Sequence, residues 1–275
     1  MTPMPEPTTD PVGGGAWDAA LATRHLADLK TSEVTRALRA LSSAYVERRG
    51  ALASGAALGT AGKRAAFALF YGPLHLLIVR EIVRRLDAAR DMPSTIVDLG
   101  CGTGVASAAW ALEAATPPRL AGFDRHPWAV GEAAWTWRTL GLRGRATLAD
   151  AVTARWGVHA PAIVAGYFVN ELSDEARRRL LARLLEAASE GAHVLVVEPI
   201  ARRIAPWWPE WARAFESIGG RADEWSLTLD LSERLRQLDK AVGLDHRQVK
   251  ARSIYVRHAR AGARTSPRTG GAARG

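Results

Sequence analysis

The segment IVDLGCGTGVA, residues 96–106, places three glycines within five positions, directly after a short apolar run with an acid near its end. Glycine tolerates backbone conformations that other residues avoid, and its missing side chain lets another group approach the chain closely. In a parallel α/β sheet, ligands bind beyond the carboxyl ends of the strands, in the turn that leads to the next helix. The segment therefore predicts a strand, a ligand-binding turn and a helix.

From Ser94 onward, short apolar segments alternate with helical patterns, which indicates a mostly parallel sheet covered by helices. Earlier in the chain, apolar residues recur at helical spacing from Thr31, and Gly72-Pro73 is expected to interrupt this helical region. We expect an α/β, Rossmann-like fold with a seven-stranded sheet and an N-terminal helical region. The expected strands are TIVDL, RLAGFD, RATLAD, AIVAGYFV, HVLVVEP, DEWSLTLDL and VKARSIYVRHA.

The predicted organisation has four parts: a disordered N-terminus (1–20), a helical region (21–92), a ligand-binding α/β domain (93–257) and a disordered basic tail (258–275). The single cysteine, Cys101, excludes an internal disulfide framework, and the histidines show no metal-ligand spacing. The longest apolar run, 65–79, has 15 residues and a Gly-Pro break, so we expect it to be too short and too broken to span a bilayer. No secretory signal is visible. We expect a soluble, cytoplasmic protein without metal or membrane.

The glycines follow the spacing G-x-G-x-G, whereas dinucleotide-binding proteins have G-x-G-x-x-G and this chain has Val105 at the last position. Together with Asp98, the turn resembles motif I of class I S-adenosylmethionine-dependent methyltransferases. Asp124 ends the next predicted strand, where a carboxylate can accept hydrogen bonds from both ribose hydroxyls. Asp150 ends the third, where the resemblance implies contact with the adenine edge. Loop capping is the alternative for these acids. The candidate cofactor-binding residues are Asp98, Gly100, Cys101, Gly102, Gly104, Asp124 and Asp150.

The resemblance implies S-adenosylmethionine as cofactor and a role for each part of the turn. Asp98 is expected to fix the turn and the methionine amino group, while Gly100 and Gly102 leave room for the nucleoside. Cys101 is expected to be a small turn residue. Because the sulfonium already carries an activated methyl group, the protein mainly has to align the acceptor, and a dedicated catalytic base is not required.

The loop after the fourth predicted strand, GYFVNELSD, is expected to border the methyl group. Tyr167, Asn170 and Glu171 are the candidate catalytic residues that orient the acceptor. Asn170 stands where amino-directed nucleic-acid methyltransferases carry an Asn/Asp-Pro-Pro-aromatic motif, but the residues that follow do not match it. In the alternative, Tyr167 belongs to the core, Asn170 satisfies backbone groups, and Ser173 with its acidic neighbours caps the next helix.

A narrower resemblance lies in YFVNELSDEARRRLLARLL and GAHVLVVEPIA, behind a helical region that contains SSAYVERR. These segments resemble the methyltransferase-like family associated with the small subunit of mitochondrial ribosomes and its bacterial relatives. The resemblance implies an rRNA or ribosomal acceptor, although many members carry a cysteine cluster and this chain has only Cys101. The alternatives are a small-molecule methyltransferase and a non-catalytic, cofactor-binding ribosome assembly factor.

The net charge of +9 is unevenly placed along the chain. Residues 31–90 hold ten bases and four acids, and the acid-free segment 257–275 holds five arginines. This layout suits an RNA partner, and solvated helix faces in an arginine-rich chain are the alternative. Trp207, Trp208 and Trp211 form a further candidate feature, either a stacking platform for a base or one face of a core helix.

Overall fold

A computed structural model describes residues 15–47, 58–200 and 205–257 of the chain. Its centre is a seven-stranded sheet with the order β3-β2-β1-β4-β5-β7-β6. The first five strands are parallel, and β7 runs antiparallel between β5 and β6. The strands are β1 (Thr95–Leu99), β2 (Arg119–Asp124), β3 (Gly144–Leu148), β4 (Ala162–Gly166), β5 (His193–Pro199), β6 (Arg221–Thr228) and β7 (Gln248–Val256). The expected α/β, Rossmann-like, mostly parallel sheet is confirmed.

Helices cover both faces of this sheet and make a three-layer domain. They are α1 (Ala16–His25), α2 (Thr31–Glu47), α3 (Ala61–Ala66), a π-helical turn (Phe67–Tyr71), α4 (Gly72–Arg85), α5 (Val105–Leu112), α6 (Pro127–Thr139), α7 (Asp174–Ser189), α8 (Trp208–Glu216) and α9 (Glu233–Ala241). Successive strand residues point to opposite faces, so Ile96 joins the core under α1–α6 and α9. Its neighbour Val97 joins the core under α7 and α8.

The N-terminal helices belong to the same hydrophobic core as the sheet. Trp17 in α1 and Ile82 in α4 lie in one cluster with Leu195 of β5. Since Trp17 is buried within a helix that begins at Ala16, the boundary of the predicted disordered N-terminus at residue 20 is wrong. Residues 1–14 and the predicted basic tail 258–275 lie outside the described residues.

The expected helix break at Gly72-Pro73 is also wrong, because α3, the π turn and α4 form a continuous helix, Ala61–Arg85. A proline lacks the N–H of the helical ladder and clashes with the carbonyl four residues earlier; the wider π turn just before Pro73 accommodates both effects. By length and composition alone, this helix of 25 residues could cross a membrane, and it is longer than the apolar run of 15 residues seen in the sequence. However, 67% of its most apolar window is buried inside the fold, as in core helices of soluble domains, so the indication is weak.

Candidate functional site

A cavity of about 850 Å³ lies at the edge of the sheet where the parallel strands end. The turns after β1, β2 and β4 line it, and the helix Ala61–Arg85 covers it through Tyr71 and His75. Because β7 is antiparallel, its first residues lie at the same edge, and Gln248 also lines the cavity. Pockets for small ligands range from about 300 to 1,000 Å³, so this volume can hold a cofactor with a small second ligand.

The three glycines of the turn after β1 each have positive φ, but they face different surroundings. A Cβ on Gly100 would lie 2.1 Å from the ring of Phe168, and one on Gly104 would lie 2.7 Å from Nε1 of Trp137. At Gly102 the nearest such atom is the carbonyl oxygen of Gly100, at 3.9 Å. Only Gly102 therefore leaves space beside the cavity; the expectation that Gly100 does the same is corrected, since a protein side chain fills that space.

Two carboxylates hold this turn in place. Asp124, half-buried at the end of β2, accepts hydrogen bonds from the backbone N–H groups of Gly102 (3.0 Å) and His126 (2.8 Å). Asp98, 1% exposed, accepts one from the N–H of Ser107 at 3.2 Å. Burial raises the pKa of Asp98 to about 6; hydrogen bonds from Ser107 lower it, and the nearby charge of Asp124 raises it. Both carboxylates line the cavity, as predicted from their strand ends.

Of the two other predicted cofactor residues, Cys101 lines the cavity and Asp150 does not. Cys101 lines the cavity but is 4% exposed, and burial, followed by the charges of Asp98 and Asp124, raises the pKa of its thiol well above the ordinary value. It is therefore a neutral, small turn residue. Asp150 lies two residues beyond the end of β3, is exposed, and accepts a hydrogen bond from the N–H of Val152 at 2.8 Å. Its neighbour Ala151 lines the cavity, whereas Asp150 does not.

Tyr167 directly follows β4 and has a φ of 57°, a left-handed conformation that is uncommon for an aromatic residue. Its ring stacks on His75 with centroids 3.6 Å apart and planes 6° apart. Within the described residues, its buried hydroxyl has no hydrogen-bond partner, and burial raises its pKa. Burial, followed by the charge of His246, lowers the pKa of His75 to about 3, so the stack contains a neutral imidazole.

Asn170 lines the cavity, but its side chain is already bonded within the protein. Its amide donates to Oε2 of Glu198 at 2.6 Å and accepts from the indole of Trp207 at 3.0 Å. Its backbone N–H donates to Oε1 of Glu198 at 3.2 Å. Glu198 is 1% exposed; burial raises its pKa to about 8, against the hydrogen bond from Asn170. These contacts favour the alternative in which Asn170 supports the loop.

Glu171 differs from Asn170, because its carboxylate makes no hydrogen bond with the residues that the structure describes. It lines the cavity in the short 3₁₀ turn after β4. Burial raises its pKa to about 7; the charge of Asp124 adds to this and that of Arg125 opposes it. Of the three predicted catalytic residues, Glu171 therefore has the side chain that is most available to a ligand. Ser173 caps α7, accepting from the N–H of Ala176 at 3.2 Å.

A pair of residues that the sequence analysis missed also borders the cavity. His246, in the loop before β7, lines it, and Nδ1 of His246 lies 2.5 Å from Oδ1 of Asp239 in α9. The backbone N–H of His246 donates to Oδ2 of the same carboxylate at 2.7 Å. No sequence motif marks this pair, since the loop conformation brings the two residues together.

The tryptophan-rich segment is part of the core. Trp207, Trp208 and Trp211 are at most 8% exposed, and Phe215 is fully buried. The guanidinium of Arg252 lies 4.1 Å from the ring centroid of Trp208. These rings therefore do not form an open stacking platform. Among residues 15–47, 58–200 and 205–257, no group of three or more His, Cys, Asp or Glu side chains could hold a metal ion.

No protein-family model matches the chain, and no curated protein matches it either. Solved structures with a distant likeness include S-adenosylmethionine-dependent methyltransferases. Magnesium protoporphyrin IX methyltransferase of Synechocystis, with bound SAM, gives a TM-score of 0.43 at 14% identity, over 66% of this chain and 79% of that one. A methyltransferase from Aquifex aeolicus gives 0.45 at 14% identity, over 66% and 90%. The N-methyltransferase NodS of Bradyrhizobium japonicum, in complex with S-adenosyl-L-homocysteine, gives 0.44 at 14% identity, over 64% and 84%. A likeness this distant carries no argument about activity, and the architecture follows from the strand order of the chain itself.

Proposed function

We propose that this protein is an S-adenosylmethionine-dependent methyltransferase that acts on a small-molecule acceptor. The observation that carries the proposal is the turn after β1, where Gly102 opens onto a cavity that Asp124 borders from β2. In α/β sheets of this kind, such a crevice is the site where nucleotide-like cofactors bind. The predicted cofactor residues Asp98, Gly102 and Asp124 all line it.

The residues present fit this cofactor. Each oxygen of the Asp124 carboxylate accepts one backbone N–H, so each keeps a lone pair for a ribose hydroxyl. The space beside Gly102 admits the nucleoside, because a Cβ at that position would have no close neighbour. Asp98 and Glu171 add negative charge for the positive groups of the cofactor. When bound, S-adenosylmethionine supplies an activated methyl group. The role of the protein is to orient the acceptor and to exclude water. Tyr167 and Glu171 would lie beside the acceptor.

The lining of the cavity favours a small molecule over RNA. Five of the lining residues are acids and two, Arg125 and Lys250, are bases, and the acids that are ionised would repel a phosphate backbone. The acids are Asp98, Asp124, Glu171, Glu198 and Asp245. The basic N-terminal region also has less free charge than its composition indicates: Arg80 and Arg84 pair with Glu113.

A ribosomal RNA acceptor is the second candidate. Arg36 is exposed on α2, and five arginines lie in the acid-free segment 257–275. These charges and the sequence resemblance to the ribosome-associated family support it. In that case the acceptor nucleotide would have to enter the cavity without its flanking phosphates.

Transfer of an isotope-labelled methyl group into fractionated cell extract tests the proposal. We expect label in the small-solute fraction with the wild type, and much less with Asp124→Asn. Label in rRNA would favour the second candidate and overturn the small-molecule acceptor. A protein that binds the cofactor but labels no fraction would instead be a non-catalytic assembly factor.

A further inference from the structure

We propose that His246, held by Asp239, is the general base of the reaction and that the acceptor is a small aromatic compound with a weakly acidic hydroxyl group. This inference rests on the proposed function and deepens it, because it names the base and the acceptor class. Transfer of an activated methyl group does not by itself require a base, but a neutral hydroxyl acceptor has a proton to lose. The contacts of His246 are those of a base that is oriented for one proton transfer.

The orientation comes from Asp239, which is 4% exposed in the last turn of α9. Its two oxygens lie 2.5 Å from Nδ1 and 2.7 Å from the backbone nitrogen of His246. An ionised carboxylate only accepts hydrogen bonds, so Nδ1 carries the proton and Nε2 of the neutral ring has a free lone pair. Among the described residues, Nε2 has no hydrogen-bond partner.

The location of His246 puts it beside the loop that is expected to border the methyl group. Ala251 of β7 pairs with Pro199 of β5, so the loop before β7 lies at the edge where β5 ends. Phe70, whose ring centroid lies 5.6 Å from that of His246, belongs to the same continuous helix as His75, and His75 stacks on Tyr167 after β4. His246, His75 and Tyr167 therefore border one part of the cavity.

The two charged residues on either side of His246 pair with each other and make no hydrogen bond with its ring. Asp245 and Arg247 pair with each other, Oδ1 to Nε at 2.9 Å and Oδ2 to Nη2 at 2.7 Å. The ring of Phe70 packs against the imidazole, with centroids 5.6 Å apart and planes 72° apart. The titratable groups that lie next to His246 or line the same cavity are Asp239 from α9, His75 from α4, Asp245 and Arg247 beside it, and Lys250 from β7.

The walls near His246 fit a flat aromatic acceptor. Phe67 and Tyr71 of the π turn line the cavity, with ring centroids 5.7 Å apart, and Leu74 and Ile78 continue the wall along α4. Aromatic and aliphatic walls bind flat apolar rings, and a few polar groups set their orientation. A neutral phenolic hydroxyl is a weak nucleophile, so removal of its proton would give the base a function.

The acceptor oxygen bonds to the methyl carbon while the methyl–sulfur bond breaks, and the electron pair of that bond stays on sulfur. The hydroxyl proton passes to Nε2 of His246, and the Asp239 carboxylate stabilises the resulting imidazolium. The proton then leaves to water.

Methylation of para-substituted phenols, from phenol to para-nitrophenol, tests this role. We expect His246→Gln to lower kcat for phenol about a hundredfold or more. For para-nitrophenol, which ionises near neutral pH without help, the loss should be much smaller. The rise of kcat/KM with pH in the wild type should disappear in the variant. Asp239→Asn should lower phenol turnover at least about tenfold, and the exposed His159→Gln should match the wild type.

An equal loss across all the phenols would indicate a structural role for His246 and overturn the proposal. A wild type that binds S-adenosylhomocysteine by calorimetry but methylates no phenol would also overturn it, while the proposed function would stand. Absence of S-adenosylhomocysteine binding would remove the proposed function as well. Nitrogen-15 NMR of the wild-type histidines checks the pair without a variant, because a proton on Nε2 instead of Nδ1 of His246 would contradict the geometry.

Discussion

The indole nitrogen of Trp137 donates a 2.8 Å hydrogen bond to the carbonyl oxygen of Gly104, across the turn that follows β1. Trp137 lies in α6 and is 1% exposed, so this bond anchors the turn to the helix after β2. It also explains the third glycine of the turn, because a Cβ on Gly104 would lie 2.7 Å from the same nitrogen.

The two neighbouring glycines should therefore respond differently to alanine. Both have positive φ, which costs about 1 kcal/mol for any side chain. Gly104→Ala adds the clash with buried Trp137, so we expect a total loss of about 3 kcal/mol in the free energy of unfolding. Gly102→Ala should lose only about 1 kcal/mol. Urea denaturation compares the two, and equal losses would contradict the assignment of separate surroundings.

Asn170 should matter for stability, because its side chain links Glu198 to Trp207. Asn170→Ala removes the side-chain partner of Oε2 of Glu198 and leaves the buried indole N–H of Trp207 without its acceptor, and we expect a loss of about 2 to 3 kcal/mol in the free energy of unfolding. Thermal and urea unfolding measure it. A variant as stable as the wild type but slow in methyl transfer would restore the catalytic role predicted from the sequence.

The stability of the protein should fall with rising pH because of Glu198. Burial raises its pKa from 4.5 in the unfolded chain to about 8, so the folded protein holds a proton that the unfolded chain releases between these values. The stability present below pH 4.5 is therefore lost as the pH rises toward 8. The pKa of His75 is lowered from 6.5 to about 3, so the titration of His75 changes the free energy of unfolding only below about pH 6.5.

From pH 6.5 to about 8, we expect the free energy of unfolding of the wild type to fall by about 2 kcal/mol, because Glu198 holds its proton in the fold. In Glu198→Gln the side chain does not titrate, so the free energy of unfolding should fall much less over this pH range. The exposed Glu216→Gln serves as the matched control and should follow the wild type. Urea unfolding at several pH values gives the slopes, and parallel slopes for all three proteins would show that Glu198 is ionised in the fold.

Glu132 in α6 should fix α1 to the domain. This buried carboxylate lies 2.7 Å from Nε2 of His25 and 3.0 Å from Nε of Arg24. Glu132→Ala removes the buried carboxyl group that both side chains contact, and we expect a loss of about 3 kcal/mol in the free energy of unfolding. The exposed Glu190→Ala should change stability by less than about 0.5 kcal/mol. Faster amide exchange in α1 of the Glu132 variant would identify the helix that is released; protection equal to the wild type would contradict it.

The strands of the central sheet could be predicted closely from the sequence. TIVDL, RLAGFD and HVLVVEP coincide with β1, β2 and β5, because strands buried on both faces have nearly continuous apolar sequences. The third and fourth predicted strands were too long at their carboxyl ends. There the chain leaves the sheet to form loops of the cavity, and apolar loop residues such as Phe168 extend the strand-like pattern.

The features that could not be predicted depend on contacts between distant parts of the chain. The contact of Phe168 with Gly100 joins loops after β4 and β1, so spacing within either loop does not reveal it. The pair of Asp239 and His246 forms when the chain turns between α9 and β7. The π turn before Pro73 is a third case, because local propensity predicts a helix break there and packing against the sheet keeps the helix continuous.

Calorimetric titration with S-adenosylhomocysteine tests the central claim most directly, and it needs no knowledge of the acceptor. We expect the wild type to bind one molecule per chain. Asp124→Asn should weaken binding by about 1.5 to 3 kcal/mol, since ribose hydroxyls lose an acceptor. Asp150→Asn, which lies outside the cavity lining, should change it by less than about 0.5 kcal/mol. No binding by the folded wild type, or equal affinities for the wild type and Asp124→Asn, would contradict a cofactor site at this turn.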